Sequence, residues 1–206
     1  MSGIIAQNSG RHTGLVKAAS GGGDAVWTKI KTLTASADST LDFIDGTSDV
    51  VLDSTYPIYV FKFINIHLAT DNGEWGINFT TDGTNFNVTK TTTYWYANHK
   101  EDDSGTALDY STSRDLAQST ALQQLGADVG TDNDQSTSGE LMLFNPSSTT
   151  FVKHFIANTN YAHADDYSID LYVGGYANTT SAITGARFSA VSGNIDAGQI
   201  SLYGIS

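Results

Sequence analysis

The chain of 206 residues has no cysteine, two prolines and two methionines, and its ten lysines and arginines face 22 aspartates and glutamates. Without cysteine, disulfides and thiolate zinc sites are excluded, the redox compartment leaves no mark, and stability must come from packing or assembly. Pro57 and Pro146 stand at the ends of apolar runs, where strands tolerate proline. The formal charge is −12. A phosphate-binding surface needs clustered Lys and Arg. Here they are scattered, with Lys29 and Lys31 the close pair, so nucleic acid is not an expected partner. The same charge disfavours an anionic membrane surface and fits a self-repelling exterior, or an ordinary acidic one. No apolar run approaches the ~20 residues of a spanning helix. Met1 to Gly10 lacks the basic and apolar regions of a secretory signal, which leads to the expectation of assembly in the cytoplasm.

Chemistry-bearing patterns are also scarce. There is no Gly-x-Ser-x-Gly elbow, and the glycine-rich "SGGGD" has no following lysine and helix to cradle a phosphate. The histidines, His12, His67, His99, His154 and His163, form no His-x-x-x-His pair. Asp132, Asp134, Ser136 and Glu140 put oxygens close together in sequence, but without calcium-loop spacing, and read as a solvated loop. The expectation is no catalytic residue, no metal and no cofactor: a protein that is not an enzyme.

What the chain does have is alternation. Residues 1–25, with their GGG run, read as an extended arm or a disordered leader. In the arm reading Ile4, Ile5, Leu15 and Val16 are docking points, because purely flexible linkers lack paired aliphatics. From Val26 on the period is two, and residues 26–206 are expected to form one domain. "VWTKIKTL" alternates, placing Trp27, Lys29, Lys31 and Leu33 on one side. "PIYVFKFINIHLA" is apolar on both faces, as a central strand should be. "EWGINFTTDGTNFNVT" sets two alternating runs about Asp82-Gly83, a tight-hairpin signal. Within the polar stretch 99–138, "SRDLAQSTALQQLG" offers a helix capped at Ser113 and ended at Gly126. The whole predicts an all-β, jelly-roll-like antiparallel sandwich of about ten strands with one short helix. "QISLYGIS", at the end of the sequence, is expected in the middle of a sheet, with Ile200 and Leu202 facing the core.

The aromatics are the candidate binding groups. Trp75, Tyr94, Trp95 and Tyr96 lie on strand patterns and would be stacking platforms for a glycan if exposed. The competing reading gives one face of that strand to the core and the other to a neighbouring subunit.

The two ends of the sequence, "MSGIIAQNSGRHTGLVKAASGGGDAVWTKI" and "GNIDAGQISLYGIS", resemble small virion structural proteins of tailed phages, notably marine ones. "SRDLAQSTALQQLG" and "LMLFNPSSTTFVKHFIANT" are similar in kind. The resemblance implies a non-enzymatic virion component with a glycine-rich N-terminal arm before a sandwich. It leads to the expectation of a homotrimer on the virion surface that contacts capsid or tail proteins. Its role would be head decoration or, alternatively, a tail or head-fibre module reading host surface glycan. It brings no catalytic or ligand residues.

Overall fold

The computed structural model of the chain describes residues 26–206. Ile4, Ile5, Leu15 and Val16 lie outside the described residues. Alternation produces twelve strands: β1 (Trp27–Thr34), β2 (Thr40–Ile44), β3 (Ile58–Leu68), β4 (Gly73–Thr80), β5 (Lys90–Lys100), β6 (Thr106–Tyr110), β7 (Gln123–Val129), β8 (Thr137–Phe144), β9 (Lys153–Ala162), β10 (Tyr167–Ala177), β11 (Gly185–Ala190) and β12 (Ile195–Ile205). All pair antiparallel. A large sheet of eight runs β1-β12-β3-β8-β9-β10-β5-β6, and a small sheet of four runs β2-β11-β4-β7. Isolated bridges Asp38–Ile195 and Val129–His163 stitch the sheets together, so the wrap is nearly closed.

The core lies between the sheets. Its centre is aromatic: Phe63 meets Trp75 with ring centroids 5.1 Å apart, and Phe188 meets Phe61 at 5.2 Å and Phe63 at 5.3 Å. These edge-on contacts are the favoured geometry for ring quadrupoles. β12 sits between β1 and β3, with Ile200 and Leu202 fully buried. A strand at the end of the sequence is therefore an interior strand of the large sheet. Gly204 is required there because a Cβ would come 2.2 Å from the Tyr56 ring.

Four expectations fail, each for a physical reason. There are twelve strands, two of them (β6 and β7) inside the stretch read as polar loop. No helix forms over Ser113–Gly126 among the described residues. Instead the first half of that segment runs along the edge of β5: Leu116 N–H donates to the Thr92 hydroxyl oxygen, while Thr92 N–H donates to Leu116 C=O. Ser119 and Lys90 exchange backbone bonds. The second half crosses to the small sheet as β7. Buried Gln123 fixes the crossing, accepting from the Thr92 hydroxyl and donating to Arg114 C=O. Tertiary partners thus supply the backbone and side-chain bonds that a helix would have made internally. Gly126 is not a helix stop. It pairs with Trp75, and a Cβ there would lie 2.4 Å from the indole Nε1.

The Asp82-Gly83 turn forms but does not open a two-stranded hairpin. The Asp82 carboxylate accepts from Thr84 N–H, Asn85 N–H and the Asn85 amide, so it takes up the donors that a second strand would have used. β4 pairs with β7 and β11 instead. Finally, β1 does not alternate throughout. A bulge between Lys29 and Lys31 puts Trp27 opposite Ile205 on the outer face and Leu33 opposite Ile200 on the inner one.

Candidate functional site

The large sheet is about twice as wide as the small one, at ~4.8 Å per strand step, so part of its inner face needs other cover. Near the start of β5 the 111–122 segment pairs along its open edge and then crosses to the small sheet as β7. At the far end of β5 the inner face borders a cleft among the described residues. Tyr94, Tyr96 and Asn98 of β5, Tyr161 of β9, and Tyr167 and Ile169 of β10 all point inward by strand parity and line this cleft. Asp128 of β7 forms the opposite wall with Arg114 and His163. The cleft holds about 190 Å³.

Its polar groups are only partly satisfied. Arg114 Nη2 donates to Asp128 Oδ2 at 2.7 Å, but Arg114 Nε is buried with no partner. His163 Nδ1 accepts from Asp165 N–H at 3.0 Å, so in the neutral ring Nε2 carries the proton. That nitrogen lies 4.0 Å from Asp128 Oδ2, too far for a hydrogen bond. Asp128 also holds a left-handed backbone, φ 53°, which most side chains avoid. Deeper in, burial pushes the Tyr94 hydroxyl well above the usual phenol range, with the Tyr161 hydroxyl beside it adding to the shift. Burial likewise pushes Tyr161 up to about 12. Both stay neutral and can donate or accept hydrogen bonds at any physiological pH.

The second feature is the outer face of the large sheet. Ile156 is 53% exposed there, Trp27 45% and Trp95 38%. Cross-strand pairing sets them in three separate rows, with Trp27 opposite Ile205, Ile156 between Met142 and Gly174, and Trp95 opposite Tyr172. Tyr203 lies opposite Val60, Val60 opposite Met142, and Met142 opposite Ile156. Trp95 lies opposite Tyr172 on one side and Tyr110 on the other. Trp95 stacks on Tyr172 at 4.2 Å with 6° between the rings, and Trp27 meets Tyr203 edge-on at 5.9 Å. The Trp95 row continues from Tyr172 through Asn158 to Glu140 and Lys62, which form an ion pair and neutralise each other.

The aromatics named from the sequence therefore separate. Trp75 is fully buried against Phe63, and Tyr94 is 1% exposed, so neither is a surface platform for stacking. Strand parity alone did not reveal this, because it does not say which face a second layer covers. Tyr96 is half-buried at the cleft, and Trp95 is exposed on the outer face. Of the acidic loop residues, Glu140 is committed to Lys62 and does not join Asp132 or Asp134. Among the described residues no three His, Asp or Glu side chains gather at metal-binding distance. Sequence reasoning missed Asn98, Arg114, Asp128, Tyr161, His163 and Tyr167. The available signal was tyrosines at strand ends, where an apolar ring with a polar tip suits the mouth of a sandwich.

No protein-family model matches the chain, and comparison with curated proteins and with solved structures gave no match.

Proposed function

We propose that the chain is a non-enzymatic virion structural protein of a tailed phage, a capsid (head) decoration or cement protein whose copies meet through the outer face of the large sheet. The observation that carries this reading is the set of large exposed apolar side chains, Trp27, Ile156 and Trp95, on the outer face of a sheet whose inner face already has its core. Trp95, Tyr172 and Tyr110 are contiguous across three strands, and contiguous exposed apolar surface marks interaction sites. A second copy is the occupant proposed. A chain of net charge −12 repels its own copies, and a face with a neutralised Lys62–Glu140 pair is where they meet at least cost. Closed homo-oligomers are the default arrangement, and a trimer suits a capsid site. The resemblance at the two ends of the sequence supports the virion location, with the segment holding Ile4, Ile5, Leu15 and Val16 as the attachment arm. The pairing of β1 with β12, β2 with β11 and β5 with β10, early strands with late ones, supports reading the winding as jelly-roll-like.

Sedimentation of the full chain and of Ile156→Glu, together with a particle reconstruction, tests the proposal. The expected result is an oligomer that Ile156→Glu splits into folded monomers, with many copies on capsomers. A monomer at every concentration, or no copy on the capsid, overturns it.

A second reading has its own observation. The parallel Trp95–Tyr172 stack is an exposed aromatic platform of the kind that holds sugar rings, and it favours a tail or head-fibre module binding host surface glycan. A few copies at one vertex, with glycan binding lost in Trp95→Ala, would select it over decoration.

A further inference from the structure

We propose that the cleft between β5, β10 and β7 binds a single neutral pyranose unit, with Tyr96 and Tyr167 against the ring and Asn98, Arg114, Asp128 and His163 bonded to its hydroxyls. The inference is independent of the virion role. It shares only its ligand chemistry with the glycan reading, and it places the sugar in the cleft and not on Trp95 and Tyr172.

Size is the first argument. An engineered cavity of ~150 Å³ admits benzene, and the cleft holds about 190 Å³. One six-membered ring with substituents fits, and a larger ligand would have to project from the mouth. The lining is the second argument. Tyr96 and Tyr167 present aromatic rings, while the groups between them are polar. That combination suits a ring with apolar C–H faces and a polar rim.

The third argument is the unmet bonding capacity. Arg114 Nε is buried without a partner, and His163 Nε2 stops 4.0 Å from Asp128 Oδ2. Arg114 can only donate and the Asp128 carboxylate can only accept. A ligand that meets both side by side must itself donate and accept, which is what a hydroxyl does. An oxygen set between His163 and Asp128 would accept from the first and donate to the second. Vicinal hydroxyls repeat that pattern along Asn98 and Arg114. Charge is the fourth argument. Arg114 is already neutralised by Asp128, and Asp165 at the mouth is offset by Lys100, whose ammonium lies 5.4 Å from the Tyr167 ring centroid, so no surplus positive charge is left to hold an acidic sugar.

The test is a proton–nitrogen NMR titration of the full-length protein with D-glucose, D-galactose, D-mannose, N-acetyl-D-glucosamine and D-glucuronate. Each is added to about 50 mM, enough to load a site with a dissociation constant in the millimolar range. At least one neutral sugar should give saturable shifts at the Asn98, Asp128 and His163 amides, and glucuronate should not. Tyr96→Ala and Tyr167→Ala should each weaken the response about tenfold, roughly 1.4 kcal/mol. Asn98→Ala, at the mouth, should weaken it without lowering the melting temperature, and Trp95→Ala should leave it unchanged. The inference is overturned if no neutral sugar gives saturable shifts at these amides, if glucuronate binds as well as the neutral sugars, or if the response maps to Trp95 and Tyr172. The last result would support the glycan reading while removing this site. Absence of the protein from capsids would leave the titration unaffected.

Discussion

Where β5 begins and β10 finishes, Lys90 and Lys153 lie on either side of Ala177, and both are fully buried. Each ammonium has partners: Lys90 Nζ donates to Asn78 Oδ1 at 2.6 Å and to Val88 C=O, and Lys153 Nζ donates to Thr179 C=O. Loops close over them, and this end is sealed. At the opposite end of the same strands, Arg114, Asp128 and His163 are less buried but leave a donor unpaired and a 4.0 Å gap. Cationic groups near a sheet end are therefore not informative by themselves. What distinguishes a structural cluster from a candidate site is whether the chain itself meets their hydrogen bonds, since a buried polar atom left unpaired costs about 1–3 kcal/mol.

The largest effect comes from removing what both ends depend on. β12 spans the sandwich between β1 and β3, and Ile200 and Leu202 are buried. Their burial is worth about 1.5–3 kcal/mol each. Their loss would also expose the edges of β1 and β3, against a domain stability of only about 5–15 kcal/mol. A chain ending at Gly198 should be insoluble. If instead it melts cooperatively in calorimetry, the two ends are held by something other than this strand.

The sealed end can be broken through pH. Burial lowers the Lys90 pKa from 10.5 to about 8. Between those values the unfolded chain keeps a proton that the folded chain has released, so stability rises with pH. The gain available is about 3 kcal/mol. It should be read below pH ~10, because Tyr59 and Tyr161, pushed up to about 12 by burial, oppose it above that. Denaturant melts of the wild type and Lys90→Met from pH 7 to 10 should diverge, the wild type gaining relative to the variant. A pH-independent difference would mean that Lys90 stays charged inside, and that the sealed end is more hydrated than its burial implies. Lys153, lowered in the same direction by burial, remains in both proteins and cancels.

Gly126 sharpens the contrast between local pattern and tertiary fit. It looked like the end of a helix and is instead the point where β7 passes Trp75. Gly126→Ala should destabilise by about 1–3 kcal/mol, the usual range for forcing a methyl into a packed core. An unchanged melting temperature would show that the indole can retreat.

The legible parts of the fold are those where one strand's pattern is sufficient. β3 was readable as central because Tyr59, Val60, Phe61 and Phe63 are apolar in succession, and β12 because Ile200 and Leu202 alternate with polar Ser201. The segment from Ser113 to Gly126 misled because leucine spacing and a serine cap are local signals. The decisive partners, Thr92 and Gln123, act across the fold. The cleft was illegible for the same reason. Asn98, Asp128 and His163 meet only through the pairing of β5 with β10, β10 with β9, and Val129 with His163. Of the aromatics, Trp95 could be assigned a face by alternation from Tyr94, but which of the two faced water depended on the small sheet.

The smallest expected effect lies at the open end, in a hollow lined by His67, Gln135 and Asp196, where a polar group is fully met. His67 Nδ1 is 2.7 Å from Asp196 Oδ1, and Nε2 is 3.3 Å from Thr131 C=O. Both ring nitrogens face acceptors, so the imidazolium can donate to each. Burial alone would lower its pKa, but the hydrogen bond to Asp196 and that carboxylate's charge outweigh burial, and the net shift is upward. A raised folded pKa means that the pair stabilises fully below the unfolded value near ~6.5 and loses its contribution as pH rises through the folded value. The pair is partly exposed, so the effect should stay under about 1 kcal/mol. In thermal melts the wild type should lose stability relative to His67→Gln as pH rises above ~6.5, with no divergence below it. If His67→Gln shows the same pH profile as the wild type, the pair is too solvated to matter, and satisfied bonding at the open end confers no more than the gaps beside it.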